Sequence, residues 1–205
     1  MRLIGLAGRQ GAGKDTACRL LQINLCNSRE ILTRFHKYAF AEALKDCASE
    51  AFGIPKKYFY RDEILKSEIH KPWNVSARQI AQFLGTEMFR EHIKDLCPEV
   101  GDRFWIIRLE KDIKESEESY GSEDVINVIT DVRFQNEVDW IIENEGIIIK
   151  INREGLPGNP GLPNHKSDAG FIPPKERYHE VENNGTPQHL LNELMKIIPF
   201  YFLMK

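Results

Sequence analysis

The chain has 205 residues, of which 41% are hydrophobic and 29% charged, with a formal net charge of −3. This composition fits a globular domain of ordinary size, and the mild negative balance without a long Lys/Arg run excludes a broad nucleic-acid footprint. Four cysteines without C-x-x-C spacing exclude a disulfide framework or a zinc site as the organising feature and favour a reducing compartment.

Leu3–Ala7 reads as a short buried strand, too brief for a secretory leader, and no apolar stretch approaches the roughly 20 residues that span a bilayer. A cytoplasmic protein is expected, with no membrane or nucleic-acid partner. Gly8–Gly13 is then a turn, and a helix follows with Ala17, Leu20, Leu21 and Leu25 on one side. His36–Phe40 reads as the second strand. Ala41, Leu44, Ala48, Ala51 and Phe52 recur at helical spacing, and Gly53-Ile54-Pro55 stops that helix. Residues 55–75 carry no clear period. Ser76 is placed as an N-cap before a helix whose apolar stripe is Ile80, Phe83, Leu84 and Met88.

Phe104 to about Lys114 is read as another helix, running into a solvated acidic connection at Glu115–Asp124. Val125–Thr130 is a β-branched run of strand length. Phe134, Val138, Ile141 and Ile142 give a helix closed by Gly146, and Ile147–Ile151 gives a further strand. Residues 153–177 hold five of the ten prolines and four of the fourteen glycines. A loop so long and so composed suits a lid or a disordered segment. Tyr178–Glu182 and Gln188–Ile198 read as a last strand and a last helix. Strands alternating with helices imply a mostly parallel sheet in three α/β/α layers, with ligands at the carboxyl ends of its strands.

The segment GRQGAGKDT carries the chemistry. Gly8, Gly13 and Lys14 match G-x-x-x-x-G-K-[ST], with Gly11 adding a third glycine between strand and helix. Glycines let backbone N–H groups converge on an anion, the helix N-terminus adds partial positive charge, and Lys14 supplies a point charge for the outer phosphates. The next residue is Asp15 and not a hydroxyl. A carboxylate there is either a magnesium ligand or only a favourable charge in the first helical turn. Thr16 still offers a hydroxyl to a phosphate.

Asp131 ends the apolar run VINVIT, where phosphoryl-transfer sites place an acid for magnesium or its water. Arg133 would stand at the same edge and can clamp a phosphate, unless both residues merely cap a strand-to-helix turn. Lys45 falls at the edge of an apolar helix face, where an ammonium either snorkels or meets a ligand. Arg78 and Gln82 share the face opposite Ile80, and Arg103 alone reads as a surface residue. His165 lies in the Pro/Gly-rich loop, where a lone His is usually solvated.

The ordered set GAGKDT, YAFAEALKD, SARQIAQFLGTE, DRFW, ITDVRFQNEVD, NHKSDAG and VENNGT resembles the bacteriophage deoxynucleoside monophosphate kinases, from residue 1 to about 195. GKDT alone also occurs in animal-type phosphomevalonate kinases; LGTE with TDVR makes the set specific. The resemblance implies a nucleoside-monophosphate-kinase-like P-loop fold in a single domain, with an acceptor-side helical region at about 41–117 and a lid at about 153–177. It implies ATP as donor, magnesium as cofactor and a deoxynucleoside 5′-monophosphate as acceptor.

By that resemblance, Gly8, Gly11, Ala12, Gly13, Lys14, Asp15 and Thr16 hold the ATP phosphates. Asn183, Gly185 and Thr186 lie beside its adenine, and Asp15 and Asp131 organise the metal. Lys45, Arg78, Gln82, Arg103 and Arg133 serve the acceptor; Lys14, Asp131 and Arg133 act in catalysis; His165, Ser167 and Asp168 belong to the lid. Better-known family members carry an insertion before SARQIAQFLGT that this chain lacks. A phosphomevalonate-type kinase and a non-catalytic ATP-binding module are the rival readings, and the sequence leaves homodimerisation open. A GTPase is disfavoured because NHKSD has one residue too many for N-K-x-D.

Overall fold

The computed structural model describes residues 2–26, 34–60, 63–120, 125–156 and 170–202. In chain order the elements are β1 (Arg2–Ala7), α1 (Lys14–Cys26), β2 (Arg34–Tyr38), α2 (Glu42–Phe52), α3 (Lys57–Tyr60), α4 (Glu63–Ser67), β3 (Ile69–His70), β4 (Val75–Ser76) and α5 (Ala77–Gln82). There follow a π-helical segment (Phe83–His92), α6 (Ile93–Leu96), a 3₁₀ turn (Gly101–Arg103), α7 (Phe104–Tyr120), β5 (Val125–Val132), α8 (Gln135–Glu143), β6 (Ile147–Asn152), β7 (Tyr178–Glu182) and α9 (Pro187–Phe202). They divide into one unit of Met1–Ala39, Lys114–Asn159 and Gly170–Lys205, and another of Phe40–Ile113 with Pro160–Ala169.

The first unit is a five-stranded sheet in the order β2-β5-β1-β6-β7, every neighbouring pair parallel. Continuous β-branched runs such as Val125–Thr130 and Ile147–Ile149 suit strands covered on both faces. On one face Ile4, Leu6, Ile126, Val128, Ile149 and Ile151 meet Ala17, Leu21 and Leu25 of α1 and Leu190, Leu194 and Ile198 of α9. On the other, α8 packs on β1 and β6, and its Ile141 fills the space over Gly5. Each fully buried Ile or Leu contributes roughly 1.5–3 kcal/mol, so this α/β/α core carries the unit. Central β1 lies between β5 and β6, and the chain turns to opposite sides of it, which makes its carboxyl end a crevice for ligands.

Several boundaries differ from expectation. β2 is Arg34–Tyr38 and not His36–Phe40, because pairing with β5 ends at Tyr38 opposite Ile129. The stretch 115–124 is not all connection: α7 continues through Tyr120, with the Ser116 hydroxyl against His36 Nδ1 at 2.7 Å. β5 extends to Val132, which is buried and paired with Ala7, so Asp131 lies one residue inside the strand. α9 begins at Pro187, where the missing N–H costs nothing, and runs to Phe202.

The second unit packs Ala48 and Ile54 against Phe59, Ala77 and Ile80. Its α2 ends at Gly53, as the sequence suggests, although Ala51 of the expected apolar face is exposed. Ser76 does cap α5: its hydroxyl accepts from the Gln79 N–H at 3.2 Å, and Gln79 Oε1 accepts from the Ser76 N–H at 2.9 Å. The expected stripe then fails, since Phe83 and Met88 are exposed while Gly85, Thr86 and Arg90 are buried. From Phe83 the helix is wound with i→i+5 bonds, so buried positions recur at five, as Gly85 and Arg90 do, and not at three and four. The indole of Trp105 donates to the Gly85 carbonyl at 2.9 Å, and Phe89, Phe104 and Trp105 stack edge to face around it.

Candidate active site

β1 delivers the phosphate loop at its carboxyl end, and α1 starts at Lys14. Gly8 has φ 132° and lies so close to β6 that a Cβ there would strike the Ile151 carbonyl oxygen. Gly13 has φ 103° and would strike the Asn183 side-chain amide. Both positions require glycine, and with them the loop wraps inward. Lys14 Nζ crosses that loop, donating to the carbonyls of Gly8 at 2.8 Å and Arg9 at 2.9 Å. The ammonium is thereby fixed at the centre of a ring of backbone amides, beside the positive end of α1, which is an anion site by construction.

A second segment braces this loop. Asn183, just past β7, donates from Nδ2 to the Ala12 carbonyl at 2.7 Å, while its own N–H bonds the Asn152 carbonyl at 2.8 Å. Asn184 Oδ1 accepts from the Glu154 N–H at 2.9 Å, and Thr186 Oγ1 accepts from His189 N–H at 3.3 Å, capping α9. The 183–186 turn and the phosphate loop are therefore one structural piece, although 171 residues separate Ala12 from Asn183.

Asp15 stands in the first turn of α1, and its carboxylate pairs with Lys37 Nζ on β2 at 2.8 Å. The Lys37 contact escaped the sequence reading; its signal is a lone lysine on the polar phase of RFHKY. Asp131 is half-buried on β5 and Arg133 is exposed directly after it. Because Val132 pairs with Ala7, these two flank the level at which β1 gives way to the loop. Glu137, 2% exposed, receives the N–H groups of Arg133 at 2.8 Å and Phe134 at 3.1 Å. It thus fixes the turn that carries Arg133. An acid three residues past a helix start is the capping signal that would have revealed it.

Asp15 and Asp131 offer hard oxygen donors on the loop edge, which suits magnesium: that ion is held by one or two carboxylates with substrate phosphates and water. Among the described residues no cluster of three or more His, Cys, Asp or Glu could cage a metal by itself. The donor set therefore fits a magnesium ion that arrives with a nucleotide and does not fit a resident structural metal.

The other predicted residues belong to the second unit. Lys45 Nζ lies 4.9 Å from the centre of the Tyr60 ring, and Tyr60 in turn donates to Asp46 at 2.8 Å. Burial of the Tyr60 phenol, with Asp46 beside it, pushes its pKa well above the ordinary value; the Lys56 hydrogen bond holds Asp46 below the usual carboxylate range. Arg78 and Gln82 are half-buried on α5, and Arg103 approaches Glu110 at 3.9 Å. His165, Ser167 and Asp168 lie outside the described residues.

No protein-family model matches the chain. A protein of Acanthamoeba polyphaga mimivirus, provisionally named deoxynucleotide monophosphate kinase, is 27% identical over 199 residues, covering 97% of this chain and 96% of that protein. The deoxynucleoside-5′-monophosphate kinase of Escherichia phage T5 is 24% identical over 241 aligned positions, covering 88% of this chain and 89% of that protein. That alignment is longer than this chain, so the phage protein carries segments absent here. Among solved structures, a sugar kinase from Janibacter sp. HTCC2649 matches with a TM-score of 0.39 and 11% identity, covering 97% of this chain and 94% of that one. A gluconokinase from Sinorhizobium meliloti 1021 matches with a TM-score of 0.42 and 12% identity, covering 100% of this chain and 98% of that one. Over nearly its whole length the chain is thus a relative of viral proteins named as deoxynucleotide and deoxynucleoside monophosphate kinases.

Proposed function

We propose that the protein transfers the terminal phosphoryl group of ATP to a deoxynucleoside 5′-monophosphate, giving the diphosphate. The observation that carries this reading is the Gly8–Lys14 loop, closed by Lys14 on its own carbonyls at the end of the central strand. Full-length similarity to two viral kinases supports the acceptor class.

In this reading the loop amides and α1 hold the donor phosphates, and Lys14 follows the group that moves. Thr16, exposed in the first turn of α1, adds a hydroxyl on the phosphate side. Asp15 and Asp131 are the residues that would hold magnesium, which when bound supplies charge neutralisation across the outer phosphates. Arg133, on the turn fixed by Glu137, neutralises charge on the transferred group. The acceptor phosphate is already an anionic nucleophile, so no side chain must remove a proton, and catalysis is positioning plus electrostatics. Lys45, Arg78, Gln82 and Arg103 are assigned to the acceptor, and Asn183, Gly185 and Thr186 to the adenine side. The 153–177 segment, with His165, Ser167 and Asp168, serves as the lid that keeps water from intercepting the phosphoryl group.

The test mixes the protein with magnesium-ATP and each common deoxynucleoside monophosphate, following ADP and the diphosphate product. Acceptor-dependent ADP with at least one of them is expected. Turnover only with another phosphorylated small molecule would assign the site to that acceptor instead, and ATP binding without any turnover would make the chain a binding module.

A further inference from the structure

We propose that Lys37 is a positioning residue of the nucleotide site: an internal counter-cation that neutralises Asp15 until a divalent cation takes over that role. The proposal rests on the reading of Gly8–Thr16 as the nucleotide loop. It begins from a charge problem. Where phosphate loops of this pattern carry a neutral hydroxyl after the lysine, this chain carries a carboxylate. An unpaired carboxylate beside bound phosphates repels them, while a hydroxyl does not.

Lys37 answers that problem in the geometry. It lies on β2, in register with Val128 of β5, and its ammonium reaches Asp15 Oδ1 at 2.8 Å. The contact joins an edge strand to the first turn of α1, across 22 residues of sequence, and is no local i,i+4 accident. Both side chains are open to solvent, 52% for Lys37 and 84% for Asp15. Exposed pairs of this kind add little to folding, so the contact is poorly suited as structural glue and easily opened. The Cys18 thiol, one turn along α1, lies in the field of both groups: Lys37 pulls its pKa down and Asp15 pushes it up. A carboxylate that binds magnesium only together with nucleotide needs this arrangement. It is neutralised before the ion arrives and is released when a stronger cation competes.

The consequence is a coupling between Lys37 and Asp15 that depends on magnesium. ADP binding is measured by calorimetry, in EDTA and in saturating magnesium, for the wild type, Lys37→Met, Asp15→Ser and the double variant. In EDTA, Lys37→Met is expected to weaken ADP by about two- to fivefold, because Asp15 then faces the diphosphate uncompensated. Magnesium should shrink that loss towards none, and the double variant should bind like wild type in EDTA. Equal losses with and without magnesium would overturn the proposal, since Lys37 would then act on the nucleotide directly or on the fold. No loss in either condition would overturn it as well. Failure of the wild type to bind ADP at all would sink the nucleotide reading itself, an outcome separate from either of these. Thermal unfolding of each variant checks that the fold is retained.

Discussion

Asn183 Nδ2 donates to the Ala12 carbonyl at 2.7 Å, and a Cβ on neighbouring Gly13 would occupy the position of that same amide. The turn after the last strand thus holds the phosphate loop in shape. Asn183→Ala should cost about 1 kcal/mol of stability through the lost hydrogen bond and weaken ADP severalfold by loosening the loop. Gly13→Ala should be worse, because φ 103° disfavours any side chain as well as producing the collision. Combining the two removes the collision but leaves the strained φ, so the double variant should recover only part of the loss. Thermal melts and ADP calorimetry measure both effects.

Lys14→Met should abolish most turnover, on the order of a hundredfold or more, by removing a charge aimed at the transferred group. The amine also satisfies the carbonyls of Gly8 and Arg9, so a small stability loss is expected with it. Steady-state kinetics beside a thermal melt separate these effects. Wild-type turnover in this variant would place the phosphate site elsewhere.

Glu137 is a buried acid with a structural task one step from the chemistry. Its replacement by Ala strands the N–H groups of Arg133 and Phe134 and should cost roughly 1–3 kcal/mol. Arg133 loses its fixed turn, so kcat should fall as well. Glu137→Gln keeps one acceptor oxygen and should restore part of both. A variant that loses kcat without losing stability would mean that Glu137 acts on the reaction directly.

The first unit was largely legible because each local signal agreed with the global pattern. Leu3–Ala7, the glycines and Lys14 form a strand-turn-helix whose chemistry is local. Long-range partners were not legible: nothing near Asp15 names Lys37, and nothing near Ala12 names Asn183. Boundaries slipped where pairing decided them, as at Tyr38, or where a helix ran past its apolar stripe, as in α7. The failure at Phe83 and Met88 has a different cause. Periodicity arguments assume 3.6 residues per turn, and the π-helical winding of Phe83–His92 rotates every later side chain off that phase.

That winding has a testable support. Trp105 donates its indole N–H to the Gly85 carbonyl at 2.9 Å, and Gly85 in turn leaves room for Leu44. Trp105→Phe retains most of the ring packing but leaves a buried carbonyl without its donor, which should cost about 1–3 kcal/mol. If Arg78 and Gln82 on the preceding α5 serve the acceptor, the same variant should raise the acceptor KM more than the ATP KM. An equal rise in both would detach this helix from acceptor binding.

Cys18 gives a pH dependence of definite sign. Burial pushes its thiol pKa up from 9.0 to about 11, with Asp15 adding to the rise and Lys37 opposing it. The folded state therefore keeps the proton through a window in which the unfolded chain has lost it. The stability this represents is fully present below pH 9 and is lost as pH rises towards 11, on the order of 2 kcal/mol in all. Chemical unfolding at pH 8 and pH 10.5 should show a steeper loss for wild type than for Cys18→Ala. At pH 8 a maleimide should modify Cys26 and Cys47, which are exposed, well before Cys18, and mass mapping of the labelled peptides reads this order. Early labelling of Cys18 in the folded protein would show that α1 opens more readily than its packing against the sheet implies.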